Sequence, residues 1–198
     1  MKKIIFLILF FIIYTLLIKL CPVITLWDKG FIMNIQTMLK DFPLIIPLLP
    51  DFKLYSVMIF LPLVVGSVFY FKNKNYLNII FLCSIPLITF LLNCILKPTI
   101  QRIRPPYELQ LAIHPDSFSY VSSHSLVTCC VWGIVIYFIN KNVQNIKLKY
   151  GLIAFCISWI LFVGFSRVWL GVHYPSDVIG AYILALILLS IYNLKRWV

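Results

Sequence analysis

Along most of this chain apolar residues neither alternate nor recur in a narrow stripe; they run together. Six such stretches, 4–20, about 53–71, 76–96, 125–139, 150–165 and 178–194, are separated by polar links. A helix needs roughly 20 apolar residues to cross the hydrocarbon core of a bilayer. Backbone polar groups in lipid must be bonded within the segment, so each stretch reads as a spanning helix. The pattern predicts an all-α fold: a bundle of six transmembrane helices forming one integral membrane domain over 1–198. The first run follows Lys2 and Lys3 as a secretory signal would, but Ile18-Lys19-Leu20-Cys21-Pro22 lacks the small residues of a cleavage site. An uncleaved first span is expected.

Residues 21–52 fit neither a span nor a free loop. Pro43, Pro47 and Pro50 interrupt any long helix, whereas Leu44, Ile45, Ile46, Leu48 and Leu49 are too apolar for open water. With Trp27, Phe31, Phe42 and Phe52, this is the composition of an interfacial segment at headgroup level, between spans one and two. It is a candidate wall for a lipid entrance.

Composition narrows the partners. Hydrophobic residues make up 62% of the chain and charged ones 12%, which makes the bilayer its solvent. The net charge of +11 lies in links between apolar runs, where topology and anionic headgroups account for it better than nucleic acid does. Of six cysteines, Cys83, Cys94, Cys129, Cys130 and Cys156 fall within apolar runs and Cys21 near a span end, without metal-ligand spacing. They read as packing residues. An even number of spans puts both termini on one side, together with Lys72, Lys74, Lys141, Lys147 and Lys149 on short links. Lys and Arg divide only nine to eight between the sides, but the shorter links of the first side make its basic residues denser, and on that ground both termini are expected in the cytoplasm. The opposite side holds every acid of the chain.

Three polar clusters fall on that non-cytoplasmic side, and ionisable groups at span ends are costly enough to mark sites. The first runs from Lys97 to Arg104-Pro105, the second is Ser122-Ser123-His124, and the third is Ser166-Arg167, His173 and Asp177. A phosphate ester presents about two negative charges to be held and, at the transition state, spread. Lys97, Arg104 and Arg167 supply cations for this, and the start of the fourth span adds oriented amides, with Ser122 and Ser123 beside them. His173 with Asp177 four residues on suits a nucleophilic imidazole oriented by a carboxylate, and His124 then protonates the leaving oxygen. A single carboxylate in the set is poor for a two-metal site, so metal-independent transfer through a phosphohistidine is expected, with no cofactor. Arg102 is assigned to solvent or headgroups, and His114 is left out.

These motifs resemble the type 2 phosphatidic acid phosphatases, which share a catalytic core with vanadium haloperoxidases. That family's pattern is Lys, six residues, Arg-Pro; then Pro-Ser-Gly-His; then Ser-Arg, five residues, His, three residues, Asp. Lys97, Arg104 and Pro105 match the first part, and Ser166, Arg167, His173 and Asp177 the third. The second departs from it, with Val121 in place of Pro and Ser123 in place of Gly. The motif core spans 97–177. The resemblance implies His173 as nucleophile, Asp177 as its orienting partner and His124 as general acid. It implies Lys97, Arg104, Arg167 and Ser122 as phosphate binders.

The expected activity is hydrolysis of a lipid phosphate or diphosphate at the outer face of a bacterial cell membrane, the active site facing the periplasm or exterior. Undecaprenyl diphosphate is the favoured substrate, because small six-span members of that family often act on it. Phosphatidylglycerol phosphate, phosphatidic acid and lipid A phosphates are the alternatives. A reading from another class is a lipid-phosphate binding or transport protein whose altered second motif has lost catalysis. No obligatory protein partner is expected.

Overall fold

The computed structural model describes residues 2–40, 64, 76–111 and 115–194, without the side chains of 76–83 and 193–194. The expected second span, 53–71, and His114 therefore lie outside the described residues, Val64 apart. Six α-helices occur among the described residues: α1 (Lys2–Leu20), α2 (Pro22–Met38), α3 (Tyr76–Ile100), α4 (Ser123–Asn142), α5 (Ile146–Trp169) and α6 (Pro175–Leu194). A single 3-10 turn covers Tyr107–Leu109. Helices α1, α4, α5 and α6 are long and apolar enough to cross a membrane, and residues 84–100 of α3 are apolar too. The all-α membrane bundle is thus as the apolar runs predict.

Local chemistry sets the helix ends. Pro22 and Pro175 stand at first helical positions, where the missing N–H costs nothing and φ is already helical. Asn145 caps α5 by accepting the Leu148 N–H at 3.1 Å. Helix α3 stops at Gln101, whose φ of 56° reverses the chain while its N–H still reaches the Lys97 carbonyl at 2.9 Å. That reversal turns Arg102 inward.

Helix α4 is the centre of the bundle and packs most extensively on α5 and α6. Two thirds of its apolar window (67%) is buried within the protein, against 11% for α1, so α1 relies on lipid to cover Phe6, Leu9, Ile13 and Leu17. Helices α1, α3 and α5 end, and α4 and α6 begin, at one end of the bundle. There Lys19 donates to the Thr99 carbonyl at 3.1 Å and the Ser122 N–H to the Asp177 carbonyl at 3.4 Å. At the far end Lys3 and Tyr192 border one cavity, so the outer ends of α1 and α6 lie together, away from the polar clusters.

Helix α2 is the described part of the interfacial segment. Trp27, Phe31 and Met38 are exposed, whereas Asp28 and Ile32 are buried. Gln36 anchors α2 to the polar end, its Nε2 donating at 2.8 Å to the carbonyls of both Leu109 and Trp169.

Between α5 and α6 the chain turns at Gly171, with φ of 67°. A Cβ there would lie 1.8 Å from the Leu109 carbonyl oxygen, so only glycine lets the two loops touch. Gly171→Ala should therefore lower thermal stability in detergent by about 1–3 kcal/mol from backbone strain alone. Gly151→Ala, at a helical site where a Cβ meets nothing within 4 Å, should leave stability unchanged or slightly raised. Equal melting temperatures for the two variants would contradict the close approach.

Candidate active site

Every charged residue expected at the site comes from a helix end or from a loop that these ends hold. Lys97 projects from the last turn of α3, Arg104 from the loop beyond it, His124 from the first turn of α4 and Arg167 from the last turn of α5. Lys97 and Arg167, at helix C-termini, and Asp177, at a helix N-terminus, stand where the helix dipole favours their charges. His173 follows the Gly171 turn and is 4% exposed; Asp177, in the first turn of α6, is fully buried.

These residues surround one small cavity of about 170 Å³, lined by Lys97, Arg104, Ser123, His124, Arg167 and His173 together with Ser117. It is smaller than the roughly 300 Å³ at which pockets begin to enclose a drug-sized molecule, and suits a phosphoryl group. Ser123 is on the wall. Ser122 is not among the residues that line it: fully buried, its hydroxyl accepts from Ser125 Oγ at 3.0 Å and its N–H points to Asp177. Ser122 occupies the N-cap of α4 without a side-chain cap bond.

The histidine pair is asymmetric. His173 Nε2 lies 3.3 Å from Arg104 Nη1. A guanidinium has no acceptor, so Nε2 must accept, which puts the ring proton on Nδ1. Nδ1 lies 3.6 Å from Asp177 Oδ2, slightly beyond hydrogen-bond length, in the direction an orienting carboxylate requires. Arg104 is itself fixed, donating to the Val172 carbonyl at 2.5 Å, to the Ser117 carbonyl at 2.7 Å and to Ser117 Oγ at 3.0 Å. Lys97 Nζ reaches the same Ser117 hydroxyl at 3.2 Å. Burial, opposed by the Asp177 contact and reinforced by Arg104 and Lys97, pushes the His173 imidazole down to about 4. The ring is neutral at pH 7, with the Nε2 lone pair available.

Asp177 accepts from three donors. Oδ1 accepts from Arg102 Nη1 at 2.6 Å, and Oδ2 accepts the Tyr174 N–H at 2.9 Å and the Ser119 hydroxyl. The Tyr174 bond is the acid's half of a capping box, the carboxylate of the first turn reaching back to the residue before Pro175. The dipole-facing position of Asp177 and its contact with histidine coexist.

Arg102 corrects the sequence expectation. It is 8% exposed rather than spread into solvent or headgroups, because the reversal at Gln101 directs it between α2 and α6. Its Nη2 donates to Asp28 Oδ2 at 2.8 Å and its Nη1 to Ser176 Oγ at 2.7 Å, while the guanidinium lies 4.3 Å from the Tyr174 ring centre. Asp28, Ser117, Ser119 and Ser176 are further residues of this centre that the sequence did not single out.

A second cavity of about 640 Å³ lies between α1, α2 and the loop after α3, lined by Ile18, Leu26, Ile100 and Ile103 with Lys19 and Lys29. Arg104 borders both cavities. Among the described residues, no group of three or more His, Cys, Asp or Glu is arranged to hold a metal.

A bundle with histidine, arginine and lysine gathered in this way at one end defines a class, and the chain belongs to it: the PAP2 superfamily, whose model matches residues 78–197. The resemblance drawn from the three motifs therefore holds, and the protein is a multi-pass membrane member. Phosphatidylglycerophosphatase B of Bacillus subtilis (strain 168) is 35% identical over 132 residues, 65% of this chain and 63% of that protein. The match thus spans less than two thirds of that relative's length. A solved structure described as the first transmembrane PAP2 type phosphatidylglycerolphosphate phosphatase, also from Bacillus subtilis, is similar with a TM-score of 0.80. It is 27% identical, covering 98% of each chain.

The tautomer and neutrality of His173 can be measured directly. In protein carrying ¹⁵N-histidine, this ring should remain an Nδ1–H tautomer as pH falls, and take up a second proton only near 4. A depressed folded-state value means the unfolded ring binds protons more readily, so stability from this residue is lost as pH falls through 6.5 towards about 4. A midpoint at the ordinary imidazole value would contradict the burial argument.

Proposed function

We propose that this protein is a lipid phosphatase that works through a phosphohistidine at His173. The observation that carries it is the pairing of an Nε2 kept unprotonated by Arg104 with His124, on one cavity walled by Lys97, Arg104 and Arg167. In the first step the Nε2 lone pair attacks phosphorus, the bond to the leaving oxygen breaks, and that oxygen takes a proton from His124. The bound phosphate dianion is what favours the protonated His124 needed here. Asp177 stabilises the positive charge that develops on the His173 ring, as carboxylates do for nucleophilic and basic histidines. In the second step His124 removes a proton from water, the water oxygen bonds to phosphorus, and the N–P bond breaks to release orthophosphate and neutral His173. The three cations and the Ser123 end of α4 spread the equatorial charge.

The two cavities support a substrate with two unlike parts. A phosphate fills the small one, and an apolar body fits beside Arg104 in the larger one, between α1 and the interfacial helix. Lys19 and Lys29 there suit a headgroup with further negative charge. The names of the relatives move the favoured substrate from undecaprenyl diphosphate to phosphatidylglycerol phosphate. The site is proposed to face the exterior, with both termini cytoplasmic. Presence of both histidines and Asp177 in one centre weighs against a binding or transport protein that has lost catalysis.

Purified protein with excess chelator should release phosphate from phosphatidylglycerol phosphate faster than from undecaprenyl diphosphate, phosphatidic acid or a lipid A phosphate. His173→Ala should lower kcat by at least about a thousandfold, since nucleophile loss removes the covalent route. Activity on none of the four lipids favours the binding reading, and a fully active His173→Ala variant sinks the nucleophile assignment.

A further inference from the structure

The Asp28–Arg102–Asp177 arrangement goes beyond the residues that touch phosphate. Asp28 comes from α2, Arg102 from the loop after α3 and Asp177 from α6, and all three are buried. Asp28 also accepts from the Ser176 N–H at 3.3 Å and from the Ser176 hydroxyl, so it caps the helix that carries Asp177. Tyr14 on α1 donates to the Ser176 carbonyl at 3.1 Å and closes the cluster from the far side.

The charge balance is informative. With Arg102 paired to Asp177 alone, the carboxylate facing His173 would be neutralised, and its ability to stabilise a cationic ring largely cancelled. Asp28 prevents this, because two carboxylates share one guanidinium and the three together carry a net charge of about −1. A buried ion pair is seldom a stabilising device in itself, and its retention here coincides with the one carboxylate that faces a catalytic imidazole.

We propose that Asp28 and Arg102 are positioning residues for the His173–Asp177 pair: Arg102 fixes the Asp177 carboxylate, and Asp28 draws the guanidinium charge away from it. The interfacial helix α2 thereby supplies part of the electrostatics of the reaction without touching the phosphate. This rests on the assignment of His173 as nucleophile.

The charged and titratable groups around His173 are Lys97 on α3, Arg102 and Arg104 on the following loop, His124 on α4, Arg167 on α5 and Asp177 on α6. The phenols of Tyr14, Tyr120 and Tyr174 lie behind Asp177 and Arg102. Asp28→Asn changes none of these and alters the net charge of the triad from about −1 to 0. The imidazolium is then less favoured.

The test compares kcat, KM and the acid limb of kcat/KM for parent, Asp28→Asn, Asp28→Asn/Arg102→Gln and His173→Ala, on one lipid phosphate. Its own ionisation is common to all. Asp28→Asn should move the acid limb down by about one pH unit and lower kcat about tenfold, with KM within about threefold. The double variant leaves Asp177 as the lone charge facing the ring, and its limb should lie no lower than the parent's although kcat falls.

A purely structural role would lower kcat or yield while leaving the limb where it is, and that result overturns the proposal. A double variant whose limb falls below the parent's overturns it too, even if the single variant does not fold. A fully active His173→Ala refutes the nucleophile assignment, and is distinguishable from either result.

Discussion

The structure depends on keeping one carboxylate charged where no water reaches it. Asp177 has no exposed surface, and the first turn of α6, the Tyr174 N–H, the Ser119 hydroxyl and Arg102 are all arranged to favour its anion. Each donor comes from a different place in the chain, so satisfying this one group fixes how the loop before α4, the loop after α3 and the start of α6 meet. Asp28 brings in the interfacial helix through Ser176 and Arg102. What looks like a catalytic detail is therefore also the polar keystone of an otherwise apolar bundle.

The cations divide into two kinds as a result. Arg102 serves Asp177 from behind, whereas Lys97, Arg104 and Arg167 face the cavity. Arg104 also sets the imidazole, since an arginine against Nε2 dictates the tautomer that leaves Nδ1–H for Asp177. Burial then keeps the ring neutral over the physiological range. Neutrality and orientation come from different neighbours, so a change at either arginine affects the histidine by a different route.

Much of this was legible in the sequence, for physical reasons that differ by residue. Apolar runs state the bilayer solvent directly, and helices α1, α4, α5 and α6 appear close to where hydropathy puts them. The motif residues are legible because their types and spacing are unusual at span ends, and most of them line one cavity. Arg102 was not legible: one residue from Ile103 and two from Arg104, its charge gives no hint that a φ of 56° at Gln101 turns it inward. Ser117 and Ser119 are equally silent, small hydroxyls in a loop whose role exists only once Arg104, Lys97 and Asp177 have converged on them. Within the second motif the two serines differ in setting, the Ser122 hydroxyl pairing with Ser125 and Ser123 standing on the cavity wall.

Asp28 shows the limit of reading charge by location. An acid at the membrane surface, between Trp27 and Lys29, resembles any headgroup-level residue, and only its burial at 7% against Ser176 and Arg102 distinguishes it. The same geometry explains why class is easier to infer than substrate. Every residue proposed to hold phosphate lines the small cavity on one side of Arg104, whereas the larger cavity on its other side is walled by Ile18, Leu26, Ile100 and Ile103. Aliphatic walls restrict shape and length but leave no motif. On the proposed reading, discrimination among lipid phosphates falls to the walls of that cavity, where α1, α2, Lys19 and Lys29 lie outside the three motifs.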